Sequence, residues 1–499
     1  MAQGPGVGAG GAGSGGAATG LARMMSPRRV VMSLIALCAL WLVLVPPSGM
    51  APEMALGAGL ILVTIGMLAT GVLAEQLVVL IFFLFAMILV IAPPSVVFSG
   101  FTSGAFWLVF GGLVIGAAVD RTGLGARIAA AITRRVGADY RVVIAAIILV
   151  NMVLVFLMPS TLSRVVMLIP VVLALAGRLG FPPGGKQRSG MIMATLLSAY
   201  LCSTSVLPAN VPNNVLLGAA EAFQGVQIRY FDYLLLHFPV LSMLRAVTIW
   251  ACVVWLFRPS AAEAARALEE VREEASAEAR PATRGVFTAE EGRLSLLLTL
   301  ALVLWATDSL HGVAPAWVSL GVGLVCLLPL LALVPPETFR EKVHVGPLIY
   351  VAGIIGIGAV VAETGLGAYL SHWMLEVVPM SPDAPARSLV SLGGLAMVLG
   401  LFSTMPGVPA ILTPISGELQ AASGLAIEAV LMAQVIGFSM VWFPYQVPPI
   451  IVGMQLGGVS ASDGLKSTML TSVVGLVILT PLDLAWWRLL GYLPDGSLW

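Results

Sequence analysis

Long apolar runs dominate the chain and alternate with short stretches rich in polar residues, glycine or proline. The runs lie at about 30–45, 55–73, 76–92, 105–119, 142–177, 190–217, 234–257, 294–310, 316–334, 347–362, 388–423, 429–455 and 468–487. A membrane-spanning helix needs about 20 consecutive apolar residues. The pattern therefore predicts an all-α polytopic membrane protein with about 11 membrane helices, plus two re-entrant hairpins at interrupted runs.

Composition supports a membrane location. The chain is 59% hydrophobic and 10% charged, with a mean hydropathy of +1.00, whereas soluble domains carry about 25% charged residues. The 25 basic and 25 acidic residues give a net charge of zero, so no overall field attracts nucleic acid. We expect the lipid bilayer as a partner and no nucleic acid.

The polar stretches divide the chain into six segments. Residues 1–26 are rich in Gly and Ala and are predicted to be a disordered tail. Residues 258–293 are rich in Glu and Arg and are predicted to be a solvated cytoplasmic linker. The full set is the tail 1–26, scaffold helices 27–104, a first repeat core 105–217, connecting helices with the linker 218–346, a second repeat core 347–455, and the last helix with the C-terminus 456–499.

Lys and Arg residues set the expected orientation, because acidic residues contribute little to membrane topology. With the N-terminus in the cytoplasm, most basic residues fall on cytoplasmic segments, and only Arg164 and Arg245 fall inside the membrane. We therefore expect a multi-pass protein of the cell (inner) membrane with its N-terminus inside and its C-terminus outside.

An internal repeat is visible. Segments 117–129 and 359–371 share the motif Thr-Gly-Leu-Gly-Ala at the end of a glycine-rich apolar run. Each is followed, in the same order, by a Ser-Thr break beside a proline and by a Pro-x-x-Val-Pro interruption. The breaks are 159–161 and 403–406, and the interruptions are 208–212 and 444–448. Arginines cluster after the first motif but not the second, which predicts inverted-topology repeats with a substrate site between them, as in secondary transporters.

The interruptions have a physical meaning at membrane depth. Non-helical backbone is tolerated there only where protein or a water-filled cavity satisfies its polar groups. Residues 142–177 enter and leave on the basic side of the membrane, which favours a re-entrant hairpin. Two complete spans would also begin and end on the same side. Carbonyls freed at a break suit a cation, and amides at a helix start suit an anion.

The run 98–129, the Ser-Thr breaks followed by Leu-Ile-Pro and Leu-Thr-Pro, and the Val-Pro-Asn-Asn at 211–214 resemble the divalent anion/sodium symporter family, the solute carrier 13-like permeases of the ion transporter superfamily. The resemblance implies an inward hairpin, an outward hairpin and two unwound helices around one site. It also implies a homodimer that carries dicarboxylates, citrate or sulfate with Na+ by an elevator mechanism. The family's hairpin tips usually read Ser-Asn-Thr, but both asparagines are missing here.

The candidate substrate-binding residues are the polar and helix-breaking groups at the four discontinuities. They are Ser160, Thr161, Arg164, Asn210, Pro212, Asn213, Ser403, Thr404, Gln446 and Pro448, of which Ser160, Asn210 and Thr404 are also candidates for ion binding. Each hydroxyl has an alternative structural role, since Ser and Thr often hydrogen-bond to helix carbonyls. The amides have one too, because buried amides need partners that the opposing hairpin can supply.

Two intramembrane arginines need compensation, since a charge at the centre of a membrane helix costs about 2.5 to 3.5 kcal/mol. Arg164 either faces the cavity, where it binds the anion or replaces a sodium ion, or forms a structural pair near a shallow tip. Arg245 lies outside both repeat cores and is interpreted as part of an interhelical ion pair or a polar contact at a domain boundary. Asp308, His311, Trp486 and Trp487 are interpreted as interfacial residues.

The chain has no phosphate-binding loop and no His-Glu-x-x-His or comparable catalytic cluster, which disfavours an ATP-driven pump and an enzyme. The prediction is a secondary active transporter of small divalent anions, of the di- or tricarboxylate or sulfate type, that works by Na+-coupled symport without a cofactor. The alternatives are a proton-coupled or uncoupled anion exchanger and an anion channel. Expected partners are the anion, Na+ or H+, the bilayer and a second copy of the chain.

Overall fold

The computed structural model describes residues 27–133, 139–259, 287–378 and 380–493. Within these ranges the chain forms helices and no strand. The predicted tail 1–26 and most of the predicted linker lie outside the described residues. The helix after the linker begins at Ala289, which is inside the predicted linker, because Thr288 and Glu291 form a capping box there.

The first half of the chain contains α1 (Pro27–Leu44), α2 (Pro52–Thr70), α3 (Glu75–Ile88), α4 (Pro94–Val97), α5 (Gly104–Thr122), α6 (Leu124–Thr133), α7 (Tyr140–Leu157), α8 (Thr161–Arg178), α9 (Lys186–Leu201), α10 (Val211–Gln224), α11 (Tyr230–His237) and α12 (Arg245–Leu256). The second half contains α13 (Ala289–Ala306), α14 (Asp308–His311), α15 (Pro315–Leu327), α16 (Pro336–Lys342), α17 (Gly346–Glu363), α18 (Leu366–Val377), α19 (Pro385–Phe402), α20 (Gly407–Leu412), α21 (Ser416–Ser423), α22 (Ile427–Phe438), α23 (Pro448–Gly457), α24 (Ala461–Val474) and α25 (Thr480–Leu489). Short 3-10 turns occupy Ser99–Thr102, Leu207–Ala209 and Pro444–Gln446, and π-helical turns occupy Phe238–Leu244 and Gly475–Leu479.

The length and apolarity of the helices fit a polytopic membrane protein. Among the described residues seven helices are long and apolar enough to cross a bilayer, or up to eight if α21 and α22, which are bent by 107°, form one span. Shorter apolar helices at Val30–Leu44, Pro52–Leu68, Glu75–Ile88 and Pro315–Leu327 add to these. The predicted total of about 11 spans stays a prediction.

The shared Thr-Gly-Leu-Gly-Ala motif ends a helix in both halves. Gly123 follows α5 with φ +74°, and Gly365 follows the last turn of α17 with φ +73°. Both values lie in the left-handed region, which glycine adopts without the steric cost of a Cβ. The motif therefore marks the same structural event, a helix stop followed at once by a new helix.

Four discontinuities follow these glycines, at the places that the sequence predicts. The first tip (residues 158–161) joins α7 to α8, and the second tip (residues 403–406) joins α19 to α20. The first interruption (residues 202–210) separates α9 from α10, and the second interruption (residues 439–447) separates α22 from α23.

The helices after the interruptions pack crosswise. α10 lies against α20, which starts at the second tip, while α23 lies against α8, which starts at the first tip. The pairing before the interruptions is also reciprocal, since α9 contacts α23 and α22 contacts α10. The Tyr200 hydroxyl near the end of α9 donates to the carbonyl of Phe438 at the end of α22, at 3.0 Å. This packing interlocks the two halves around their discontinuities.

Candidate substrate site

The first tip begins α8 with a serine cap. The Ser160 Oγ accepts hydrogen bonds from the Ser163 amide at 3.3 Å and from the Ser163 hydroxyl at 3.0 Å. Ser160 is extended and half-buried, so its oxygen satisfies an amide that an α-helix leaves free at its first turn. Its partial exposure leaves the hydroxyl within reach of a ligand.

Arg164 joins the first tip to the first interruption. Its side chain is fully buried, which excludes a shallow tip from which the charge reaches water. One terminal nitrogen donates to the carbonyl of Met158, and the other donates to the carbonyls of Ala199, at 2.8 Å, and Ala209, at 3.3 Å. The second nitrogen also donates to the Thr161 hydroxyl at 3.2 Å. Four oxygens at helix ends thus surround a fixed positive charge in the position where freed carbonyls favour a cation.

Asparagines organise the first interruption. The Asn210 Oδ1 accepts from the Asn213 amide at 3.0 Å and so caps α10, while its Nδ2 donates to the Ser203 hydroxyl at 3.1 Å. The Asn213 Nδ2 donates to the carbonyls of Ser203 and Val206. The side-chain oxygens of Asn213 and Asn214 are buried and have no hydrogen-bond partner. These two oxygens can accept a donor or a cation.

The second tip is held by the second interruption. The amide of Met405 donates to the carbonyl of Gln446 at 3.0 Å. The Gln446 side chain accepts from the amides of Trp442, at 2.7 Å, and Phe443, at 2.8 Å, and donates to the carbonyl of Gly400. Both ends of this amide are therefore engaged in joining α19 to the second interruption. Gln446 therefore stabilises the tip, and its role in substrate binding stays a prediction.

The hydroxyls of the second tip are buried. Thr404 lies 3.4 Å from the hydroxyl of Tyr350, on α17, and both residues are buried. Ser403 packs its hydroxyl so closely on Gly407 that a Cβ at Gly407 would collide with it. Sequence reasoning missed Tyr350, because nothing in the glycine-rich run around it distinguishes it from an ordinary apolar residue.

The two candidate prolines start the helices that follow the interruptions. Pro212 and Pro448 both lie in the first turn, where the absence of an amide hydrogen has no cost. Pro212 is buried and Pro448 is exposed. They shape the helix starts, and neither offers a polar side-chain atom.

The discontinuities combine one positive charge, several hydroxyls and amides, and no acidic side chain. No group of three or more His, Cys, Asp or Glu residues able to hold a metal occurs in the described part of the chain. A mostly apolar groove of about 100 Å³ lies beside the second interruption, between Leu389–Met397 of α19 and Leu476–Leu484, and Met440 forms part of its lining. The charge and donors at the four discontinuities suit a small anion.

Two residues outside the candidate site differ from their interpretation as interfacial groups, and a third, Arg245, makes a polar contact and not the ion pair that was the other expectation. Trp487 is fully buried and Asp308 is buried, where its carboxylate accepts from the amide of Tyr230. These two are core residues because α11 packs over both of their helices. Arg245 is fully buried and directs its terminal nitrogens to the Met440 sulfur, at 3.7 and 3.8 Å, without an ion pair within 4 Å in the described chain.

Comparison with known proteins supplies an independent line of evidence. The chain matches the family described as the sodium:sulfate symporter transmembrane region over residues 27–493. It is 26% identical over 404 residues to the citrate/succinate antiporter of Escherichia coli (strain K12), covering 79% of this chain and 80% of that protein. It is 23% identical over 409 residues to the chloroplastic dicarboxylate transporter 2.2 of Arabidopsis thaliana, covering 80% of this chain and 73% of that protein. It is also 22% identical over 408 residues to the L-tartrate/succinate antiporter of Escherichia coli (strain K12), covering 78% of this chain and 79% of that protein.

Proposed function

Because the chain belongs to the sodium:sulfate symporter transmembrane family, a family of anion transporters and not of enzymes, we propose that it exchanges small di- and tricarboxylates, such as succinate and citrate, across the cell membrane. The observation that carries the proposal is the Arg164 guanidinium, held by four oxygens of the first tip, α9 and the first interruption. Two of the relatives are described as antiporters of succinate with another carboxylate.

A fixed charge favours exchange over symport for a physical reason. A sodium ion that binds with the substrate also leaves with it, so the empty carrier can return without that charge. The Arg164 charge cannot leave, and moving an uncompensated charge through the membrane interior costs about 2.5 to 3.5 kcal/mol. A bound dianion offsets that charge and leaves one negative charge, which the amides at the helix starts of the discontinuities can meet, so the loaded carrier crosses more easily than the empty one. Transport in each direction then requires an anion.

The carrier movement is proposed to follow the inverted repeat. The crosswise contacts of α10 with α20 and of α23 with α8 support two halves related by an axis in the membrane plane, with the substrate bound between the two tips and the two interruptions. The N-terminus is placed in the cytoplasm and the C-terminus outside. The tips and interruptions move together as an elevator within a homodimer.

Na+-coupled symport is the second candidate, and a specific observation favours it. The buried oxygens of Asn213 and Asn214 have no hydrogen-bond partner, and carbonyl oxygens of this kind are ligands of hard cations. The matched family is also described by sodium:sulfate symport. In this alternative Arg164 offsets part of the substrate charge while a sodium ion binds beside the two asparagines.

Counterflow in proteoliposomes separates these candidates. Vesicles loaded with unlabelled succinate, and matched empty vesicles, receive labelled succinate or citrate outside, with either Na+ or choline as the cation. Saturable uptake that requires internal succinate and is equal in Na+ and choline supports exchange. Uptake into empty vesicles driven by an inward Na+ gradient establishes symport instead. A flux that does not saturate and follows the membrane potential contradicts both and indicates a channel.

A further inference from the structure

A second buried polar cluster lies away from the candidate substrate site. His237, Arg245, Asp483 and Trp487 are all fully buried. Five of their polar atoms have no hydrogen-bond partner, namely both carboxylate oxygens of Asp483, the Arg245 Nε, the Trp487 Nε1 and the His237 Nδ1. Buried polar atoms without partners are rare in proteins, and each needs an explanation.

The four side chains form one connected cluster between α11, α12 and α25. The Arg245 guanidinium acts electrostatically on the Asp483 carboxyl, and the Trp487 indole lies near enough to act on it as a hydrogen-bond donor, although neither contact meets strict hydrogen-bond geometry. The His237 ring lies 5.8 Å from the Trp487 ring. A Cβ at Gly475 would collide with the Arg245 guanidinium, so the π-helical turn Gly475–Leu479 packs directly on this cluster.

The cluster contacts the start of both interruptions. Arg245 directs its terminal nitrogens to the sulfur of Met440 in the second interruption. The turn before Arg245 reaches the first interruption, where the Ser242 hydroxyl donates to the carbonyl of Cys202 at 2.5 Å and also contacts the Ser205 hydroxyl. A movement of Arg245 towards or away from Asp483 therefore changes contacts at the discontinuities that form the substrate site.

The chemistry of the cluster restricts what can bind there. A metal ion meets the Arg245 cation and too few oxygen ligands, and an anion meets the Asp483 carboxylate. A water molecule can fill space but leaves the charge of the cluster unchanged. A proton on Asp483 changes that charge, needs no additional space and alters the attraction between the carboxyl and Arg245.

We propose that Asp483 is a proton-binding site whose occupancy sets the position of Arg245 between Asp483 and Met440 and thereby couples protons to anion transport. The coupling part rests on the proposed exchange function, whereas proton binding itself does not. The groups that act on the carboxyl are Arg245 from α12 and Trp487 from the same helix as Asp483. His237 lies beyond Trp487, and Cys202 and Cys252 flank Arg245.

The first test measures protonation directly, in the absence of any transported anion. Infrared difference spectra of the purified full-length protein are recorded from about pH 4, the ordinary pKa of an aspartate, to about pH 9. The wild type is expected to show a protonated-carboxyl band that disappears as the pH rises. Asp483→Asn, which preserves the side-chain shape, should lose that band, and Asp463→Asn at the start of α24 should keep it. An identical carboxyl band in the wild type and Asp483→Asn overturns the proton site.

The second test measures the link to transport. The rate of succinate counterflow by the wild type should change with pH. The change should reach up to about tenfold per pH unit, either above or below the pH at which the linked proton is released, as expected for one proton. Above about pH 7, where succinate itself stays a dianion, Asp483→Asn should exchange succinate with less than about a twofold change, while Asp483→Glu and Asp463→Asn retain the dependence. A wild-type pH profile in Asp483→Asn overturns the coupling. Failure of the wild type to exchange any carboxylate contradicts the proposed function, and the infrared result still decides the proton site.

Discussion

Replacing Arg164 with alanine tests the central feature of the site. The substitution leaves the carbonyls of Met158 and Ala199 without their donor in a fully buried position, while the carbonyl of Ala209 keeps the Thr161 hydroxyl at 3.5 Å. An unsatisfied buried acceptor costs about 1 to 3 kcal/mol, so the two carbonyls together cost about 2 kcal/mol or more of folding free energy. That loss corresponds to a fall of about 30-fold in the folding equilibrium constant.

The same substitution creates a space bordered by carbonyl and hydroxyl oxygens. Na+ is a hard cation that binds such oxygens, as other hard cations do. We therefore expect Arg164→Ala to convert Na+-independent exchange into Na+-dependent transport, because the ion now supplies the missing charge. Arg164→Lys keeps the charge but not the planar fork of donors, so it should remain independent of Na+ with a weaker apparent affinity.

The assay compares counterflow in Na+ and in choline, and thermal unfolding in detergent with and without Na+. Na+ is expected to raise the unfolding midpoint of Arg164→Ala but not that of the wild type, since only the variant has an ion site to fill. Arg178→Ala, at the exposed opposite end of α8, is the matched control. Wild-type exchange in Arg164→Ala, or the absence of any Na+ effect on both its transport and its unfolding, refutes the reasoning.

Three further variants probe the tips and the helix stop. The double variant Ser160→Ala with Thr404→Ala should raise the KM for succinate about 30-fold, since two hydrogen bonds of about 1 kcal/mol each are lost, and an unchanged KM in a concentration series contradicts a ligand role for these hydroxyls. Gln446→Leu should unfold at a clearly lower temperature than the control Gln455→Leu, which lies on the exposed surface of α23. The substitution removes the hydrogen bonds of the Gln446 side chain with two backbone amides and one backbone carbonyl. Equal unfolding midpoints contradict a stabilising role for Gln446. Gly365→Ala should destabilise by about 1 to 2 kcal/mol through its left-handed backbone, and a midpoint equal to the wild type in a melting curve would disprove the strain.

The discontinuities could be predicted from sequence because their chemistry is local. Serine, threonine and proline occur together at both breaks and favour the end of one helix and the start of the next, and α7 and α19 end at or next to these residues. The same holds for Gly123 and Gly365, whose conformation needs glycine. Local backbone preference is written into the residues themselves, so these features need no tertiary information.

The partners of the buried charges could not be predicted, because they are distant or are backbone atoms. Arg164 is compensated by carbonyls, which every residue carries and no sequence pattern identifies. Tyr350 and Thr404 meet across two helices. Trp487 lies close to the end of the last described helix, where aromatic residues usually mark the membrane interface, but its burial depends on how α11 packs against α25.

Both halves have a tip and an interruption in the same order, but the charges at the two tips differ. This difference affects how anion transport can be coupled to a second ion. Counted from the serine of each tip, the position of Arg164 corresponds approximately to Gly407, where Ser403 leaves no space for a Cβ. The first tip therefore carries a fixed cation and the second tip carries none. One guanidinium offsets only one of the two charges of a dianion, so the other charge needs helix-start amides, a dissociable cation or a change in charge elsewhere. Asp483, on α25 of the second half, and Arg245, on α12 of the first half, form a cluster that reaches the second interruption at Met440, and a proton there is the smallest change that can supply the difference.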